Sequence, residues 1–131
     1  MGVLCGVDII EIGRIEKSFE TGGCGFRDRI FTRSEIEYCE SRKTVKFESY
    51  AARFAAKEAV SKAFGTGIGG RIDWKDIEVL NDDSGKPYVV LSGKAKQLFE
   101  EIKGTCISLS ISHCKEYAVA HAVIEVGKHQ N

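Results

Sequence analysis

Two features of this sequence could carry chemistry: Asp8, an isolated carboxylate in an apolar stretch, and Glu58 with Lys62, a carboxylate and an ammonium four residues apart. Asp8 lies among Val7, Ile9 and Ile10, inside residues 3–12, which read as a largely buried strand with apolar side chains on both sides. A carboxylate in such a strand needs a cation or strong donors, so Asp8 either caps a neighbouring turn or faces a positive group. Side chains alternate along a strand, and Glu11, three residues on, points to the opposite face. Glu58 and Lys62 are four apart in a helix-forming stretch and therefore adjacent. A carboxylate beside an ammonium, with Arg53, Lys57 and Ser61 around them, suits a metal-bound polyphosphate. The plainer reading of the same residues is a solvated helix face with a stabilising Glu–Lys pair.

The element that must position them runs over residues 48–64. Alanine and long unbranched side chains favour helix there, no proline interrupts, and Gly65 with the glycines after it supplies a stop. Ala52, Ala56, Ala59, Val60 and Ala63 fall on one arc, a face so poor in bulk that a sheet can approach closely. Arg53, Lys57, Glu58, Ser61 and Lys62 spread over the other side. Before it, Ile12, Ile15 and Phe19 have helical spacing, with Arg14 and Lys17 on a different side, until Gly22-Gly23 breaks the pattern. Residues 26–31 read as a short turn or helix. Thr32-Arg-Ser-Glu35 is a capping box, which predicts a helix over residues 33–41.

After the glycine loop, residues 77–80 and 88–91 flank a turn containing Gly85 and Pro87. Ser92 is placed to cap a helix over residues 93–103, with Gly104 as its stop. Residues 106–112 alternate strictly, Ile107, Leu109 and Ile111 inward and three serines outward. Residues 117–126 are apolar on both sides, as a central strand would be. Residues 128–131 are expected to fray. Strands adjacent in sequence and joined by short turns predict an α+β fold: one domain, residues 1–131, with a mainly antiparallel sheet packed against the long alanine-rich helix.

Composition narrows the partners. The chain has 131 residues, 43% hydrophobic and 29% charged, with 19 basic and 19 acidic side chains. That balance argues against general nucleic-acid affinity, although Arg14, Lys17, Arg27, Arg29 and their neighbours make a locally basic region. Five cysteines without CxxC spacing suggest reduced thiols and a cytoplasmic location. No apolar run approaches the ~18 residues of a membrane span, and no signal peptide is expected.

Taken together, Gly6-Val-Asp-Ile-Ile-Glu-Ile12, the stretch from Arg53 to Ile68 with its Lys-Glu-x-x-x-Lys core, and Ser110-Ile-Ser-His113 resemble the holo-(acyl-carrier-protein) synthase family of the 4′-phosphopantetheinyl transferase superfamily. The likeness covers nearly the whole chain, including Trp74-Lys-Asp-Ile-Glu-Val-Leu and Ser84-Gly-Lys-Pro-Tyr-Val. It implies transfer of phosphopantetheine from coenzyme A to a serine of an acyl carrier protein, with release of adenosine 3′,5′-bisphosphate, in support of fatty acid biosynthesis.

By the same resemblance Asp8 and Glu58 match magnesium ligands, and Lys62 matches the lysine on the pyrophosphate. Arg53 and His113 would hold the nucleotide end with its 3′-phosphate, and Ser61 and Gly65 would line the same cleft. Arg14 and Lys17 would belong to the basic surface on which the acidic carrier protein docks. Cys114 departs from relatives that often carry a hydroxyl residue after the histidine. The chain has one half of what other superfamily members carry twice, which implies a homotrimer with sites at subunit interfaces. Two other classes compete. A non-catalytic coenzyme A-binding module would need Arg53, Lys62 and His113 but not Asp8 and Glu58 together. An RNA-binding domain would use the basic early segment.

Overall fold

A computed structural model describes residues 2–127, so the fraying expected of residues 128–131 lies outside the described residues. Strand β1 (Gly2–Glu11) leads directly into α1 (Ile12–Ile30), α2 (Arg33–Ser41) and α3 (Lys46–Phe64). The hairpin β2 (Ile77–Asn81) and β3 (Pro87–Leu91), helix α4 (Gly93–Glu101), β4 (Gly104–His113) and β5 (Tyr117–Val126) complete the chain. The fold is α+β and its sheets are antiparallel. Among the described residues there are two, one with strand order β1-β5-β4 and one formed by β2 and β3. The strand expected to be central, β5, is the middle strand of the larger sheet.

Helix α3 lies across one face of the three-stranded sheet, and its alanines let it come close. Ala55, Ala56, Ala59 and Val60 are fully buried against Ala120, Ala122 and Ile124 of β5. The closest approach is at Gly6 of β1. A β-carbon there would run into the Ala59 carbonyl oxygen and lie 2.6 Å from the Ala63 nitrogen. No larger residue fits that position without moving strand from helix. Gly65 ends α3 in the left-handed conformation at φ 85°, which suits glycine, and donates its N–H to the Lys62 carbonyl.

Several sequence expectations need correction. β1 is not buried on both sides: Val3, Val7 and Ile9 are 62%, 56% and 65% exposed. Helix α3 covers one face of this sheet, and among the described residues no helix packs on the second face. On α3, Arg53, Lys57 and Ser61 do not lie on a solvated face but are buried, because α2 and the hairpin cover that flank. The break expected at Gly22-Gly23 is a kink at Gly23, φ 55° and ψ −143°, and the helix resumes beyond it to Ile30. The capping box forms as expected, with the Glu35 N–H donating to Thr32 Oγ1 and the Thr32 N–H to Glu35 Oε1. Ser92 occupies the N-cap position of α4 without a side-chain hydrogen bond. That helix stops at Glu101, and Lys103, not Gly104, takes the left-handed turn at φ 61°. Gly104 begins β4, where the ring of Phe99 occupies the space a side chain would need.

Candidate functional site

Gly6 and Asp8 share the face of β1 that meets α3. Because Gly6 lets the strand lie against the helix, Asp8 is brought to Lys62, one turn past Glu58. Lys62 Nζ donates to Asp8 Oδ1 at 3.0 Å and to the Val7 carbonyl at 3.1 Å. The side chains are 16% exposed for Asp8 and 50% for Lys62, so the pair stands at the mouth of an open cavity and not in the core. Asp8 does not cap a turn. Glu58 lines the same cavity, of about 360 Å³. Burial and then the neighbouring Asp8 carboxylate push the Glu58 carboxyl above its ordinary range, against the opposing pull of Lys62. The two carboxylates repel each other here, and a divalent cation between them would relieve that repulsion.

The chemistry of that donor set fits Mg²⁺. The ion takes one or two protein carboxylates and completes its octahedron with water and substrate phosphates. Among the described residues no cluster of three or more His, Cys, Asp or Glu side chains that could hold a metal forms, so a cage built wholly from protein is not what this cavity offers. The far wall is apolar and comes from α1 and α3, with Ile15, Phe26 and Phe54. Arg14 lies on the same wall. Lys17, one turn along α1, is exposed and outside it.

Arg53 and His113 come together in a second cavity, of about 210 Å³, between α2, α3, the hairpin and the end of β4. Arg53 is 5% exposed, its Nη2 donates to Asn81 Oδ1 at 2.5 Å, and its guanidinium packs on the ring of Tyr38. Adjacent residues of α3, Arg53 and Phe54, thus project into different cavities. Ser61 and Gly65 line neither. The Ser61 hydroxyl donates to the Glu58 carbonyl at 2.8 Å, and its own carbonyl accepts the N–H groups of Thr66 and Gly67. Cys114 follows His113 in the β4–β5 turn, where backbone N–H groups of Glu116 and Tyr117 lower its thiol below the ordinary value.

A different residue is the best-paired cation on α3. Lys57 is fully buried, 2.8 Å from the equally buried Glu35, and donates to the carbonyls of Trp74 and Ile77. Glu35 also accepts from the N–H groups of Thr32 and Val79. Every strong partner of this pair is inside the protein, so it holds α2, α3 and β2 together and is closed to substrate. Sequence reasoning missed Tyr38, Arg42 and Asn81 in the second cavity. Arg42 stood out only as one of the cations that make the region before α3 locally basic, and no local signal marked Tyr38 or Asn81.

Residues 4–122 match the sequence profile of the 4′-phosphopantetheinyl transferase superfamily. The holo-(acyl-carrier-protein) synthase of Ruminiclostridium cellulolyticum is 59% identical over 127 residues, covering 97% of this chain and 95% of that protein. The synthase of Chloroherpeton thalassium is 50% identical, covering 94% and 98%. Among solved structures, the Helicobacter pylori synthase in complex with coenzyme A aligns with a TM-score of 0.84 at 34% identity, covering 93% of this chain and all of that one. The Bacillus anthracis synthase in complex with CoA (3′,5′-ADP) aligns with a TM-score of 0.79 at 44% identity, covering 95% and 96%.

Proposed function

This chain belongs to the 4′-phosphopantetheinyl transferase superfamily, a family of enzymes, and from that premise we propose that it transfers 4′-phosphopantetheine from coenzyme A to a serine of an apo acyl carrier protein. The observation that carries the reading is the meeting of Asp8, Glu58 and Lys62 at one cavity mouth. The serine hydroxyl oxygen forms a bond to the phosphorus that bears pantetheine. The bond from that phosphorus to the bridging oxygen breaks, adenosine 3′,5′-bisphosphate leaves with that oxygen and the electron pair, and the proton of the serine hydroxyl is released to solvent. Lys62 lies where its ammonium can meet the pyrophosphate, and charge that builds on the leaving oxygen strengthens that contact in the transition state. Asp8 and Glu58 would hold Mg²⁺, which when bound neutralises and aligns the phosphate oxygens. Asp8 also orients the Lys62 side chain. The nucleophile belongs to the partner, so no reactive Ser or Cys of this chain is required.

The catalytic unit is residues 1–131 as one transferase domain, acting in the cytoplasm in support of fatty acid biosynthesis. All five cysteines are free, and no helix among the described residues is long and apolar enough to cross a membrane. We place Arg53 and His113 at the nucleotide end of coenzyme A. Within one chain their cavity is separate from that of Asp8 and Lys62, which supports a homotrimer in which one subunit binds the reacting phosphates and its neighbour the nucleotide. The uncovered face of the three-stranded sheet, with exposed Val3, Val7 and Ile9, offers the apolar surface such an assembly would bury. Ser61 and Gly65 act on the cleft indirectly, by shaping the end of α3.

The decisive experiment incubates the protein with coenzyme A, Mg²⁺ and an apo acyl carrier protein and weighs the carrier by mass spectrometry. A phosphopantetheine mass gain is expected, and its absence would overturn the reading. Mixing Asp8→Asn protein with Arg53→Ala protein should recover part of the activity that each lacks alone. Full activity in a sedimenting monomer would reject the shared site.

A further inference from the structure

The face of the three-stranded sheet that α3 leaves open has a histidine at its centre. His121 stands on the middle strand, β5, and is exposed in the single chain. Directly opposite it are Val7 of β1 and Ser110 of β4. Side chains alternate along a strand, so Val119 and Val123 flank it on the same face of β5. The diagonal positions are Cys5 and Ile9 on β1 and Ser108 and Ser112 on β4.

No carboxylate and no ammonium is among these neighbours, and the Cys5 thiol is the one titratable group. The acids of this face lie further out. Glu125, four residues along β5, accepts the Sγ–H of Cys106 of β4 at 2.9 Å. Glu11 of β1 and Tyr117 of β5 are opposite each other at the other end. Asp8 faces the α3 side, where Lys62 holds it. A proton on His121 therefore finds no counter-charge within the sheet.

An imidazole changes its charge between about pH 5 and 8. On a free subunit, water solvates either form. Where the open face is buried in an assembly, a cation without a partner is costly, and the neutral form is the one that packs. Copies of one face brought together also bring their imidazoles into one apolar layer, where like charges repel.

We propose that His121 makes assembly of this chain sensitive to acid: the neutral side chain lets the open faces pack, and the protonated one drives the subunits apart. This rests on the shared-site reading, in which a subunit parted from its neighbour lacks half of its cleft, so acid also switches off transfer. Linkage fixes the sign. Burial lowers the proton affinity of an imidazole in the assembly relative to the free subunit. Assembly is then complete above the titration range of a free imidazole and weakens as pH falls through it. A free imidazole titrates at about 6.5, so full exclusion of the proton from the assembly costs each subunit about tenfold in association at about pH 5.5.

Sedimentation of the full chain over a dilution series, at about pH 7.5 and about pH 5.5, tests this in wild type, His121→Gln and His121→Arg. That window stops above the ordinary range of carboxylates. Assembly is the primary readout, because the Glu58 carboxyl, held above its ordinary range, also takes up protons as pH falls. The wild type should dissociate at least about tenfold more readily at the lower pH. His121→Gln, polar but unable to take up a proton, should assemble alike at both. His121→Arg, charged throughout, should stay monomeric with its circular dichroism unchanged, since the position is exposed in the single chain. At the lower pH, carrier modification per subunit should rise with protein concentration in the wild type and not in His121→Gln. The same pH dependence in wild type and His121→Gln would overturn the proposal, as would wild-type assembly indifferent to pH. Either result, with the carrier still modified at the higher pH, leaves the transferase reading standing. A wild type that is monomeric at both values and modifies the carrier overturns the proposal and the shared site together, but not transfer. A wild type that parts in acid through His121 yet modifies no carrier removes the transferase reading and keeps the switch.

Discussion

Two lysines on α3, five residues apart, each face a carboxylate, and they do opposite things. Lys57 and Glu35 are sealed in, and backbone groups of three segments satisfy the atoms that remain. Lys62 and Asp8 lie at the same kind of distance, but half of the lysine is open to solvent and a second carboxylate, Glu58, crowds the pair. The lesson is that distance does not separate structure from function here; satisfaction does. A closed network has no valence left for a ligand, whereas two mutually repelling carboxylates at a cavity mouth have.

The sharpest way to break the comparison is Lys57→Met. It strands Glu35 as an unpaired buried charge and should cost about 3–5 kcal/mol of stability, read from urea unfolding. If Lys57→Met unfolds no more easily than wild type, the buried pair is not what joins α2 to α3. Replacing both partners, Lys57→Met with Glu35→Leu, should recover much of the loss.

At the open pair the effects should appear in rate and not in stability. Asp8→Asn and Glu58→Gln are close to isosteric, and each should lower transfer about 100-fold or more, roughly 2.7 kcal/mol of barrier, with an unchanged melting temperature. Near-normal turnover at limiting Mg²⁺ would remove that residue from the ligand set. Lys62→Ala should lower kcat by about tenfold or more and weaken coenzyme A binding less, while Arg53→Ala should mainly raise KM for coenzyme A. The reverse pattern would exchange the two roles.

A smaller effect is expected on the rim. Arg14 lies on the cavity wall and Lys17 one turn along, both exposed, where they can meet an acidic carrier. Arg14→Glu should raise KM for the carrier protein several-fold, roughly 1 kcal/mol, with coenzyme A affinity close to normal. Salt should bring the wild type towards the variant, because charges more than about 8 Å apart are screened at physiological ionic strength. A carrier KM indifferent to salt would move docking elsewhere.

The smallest effect tracks the sealed region itself. Cys39 is fully buried near Glu35 and Lys57, and burial pushes its thiol up to about 12. At mildly alkaline pH iodoacetamide should label exposed Cys24 and Cys114 and spare Cys39, and Lys57→Met should speed its labelling. Prompt labelling of Cys39 in the folded wild type would contradict a closed layer.

Local rules alone determined much of this protein. Thr32 and Glu35 announce the start of α2, the alanine arc announces a helix that packs closely, and strict alternation in residues 106–112 gives the buried side of β4. Asp8 stood out as a charge in an apolar strand and Glu58–Lys62 as a neighbouring pair, but local rules left a turn cap and a solvated pair open, and it was the family resemblance that put the three together. Those signals are legible because each depends on neighbours within a turn or a pleat. What lies across β1, α2 and the hairpin was not legible. Sequence patterns show which residues share a helix face, but not what covers that face, so Arg53, Lys57 and Ser61 read as solvated although the tertiary structure buries them. The same limit hid the open side of β1, where apolar residues on both faces look like a fully buried strand. Only the packing decides, because burial is a property of the surfaces that meet and not of the segment that supplies one of them.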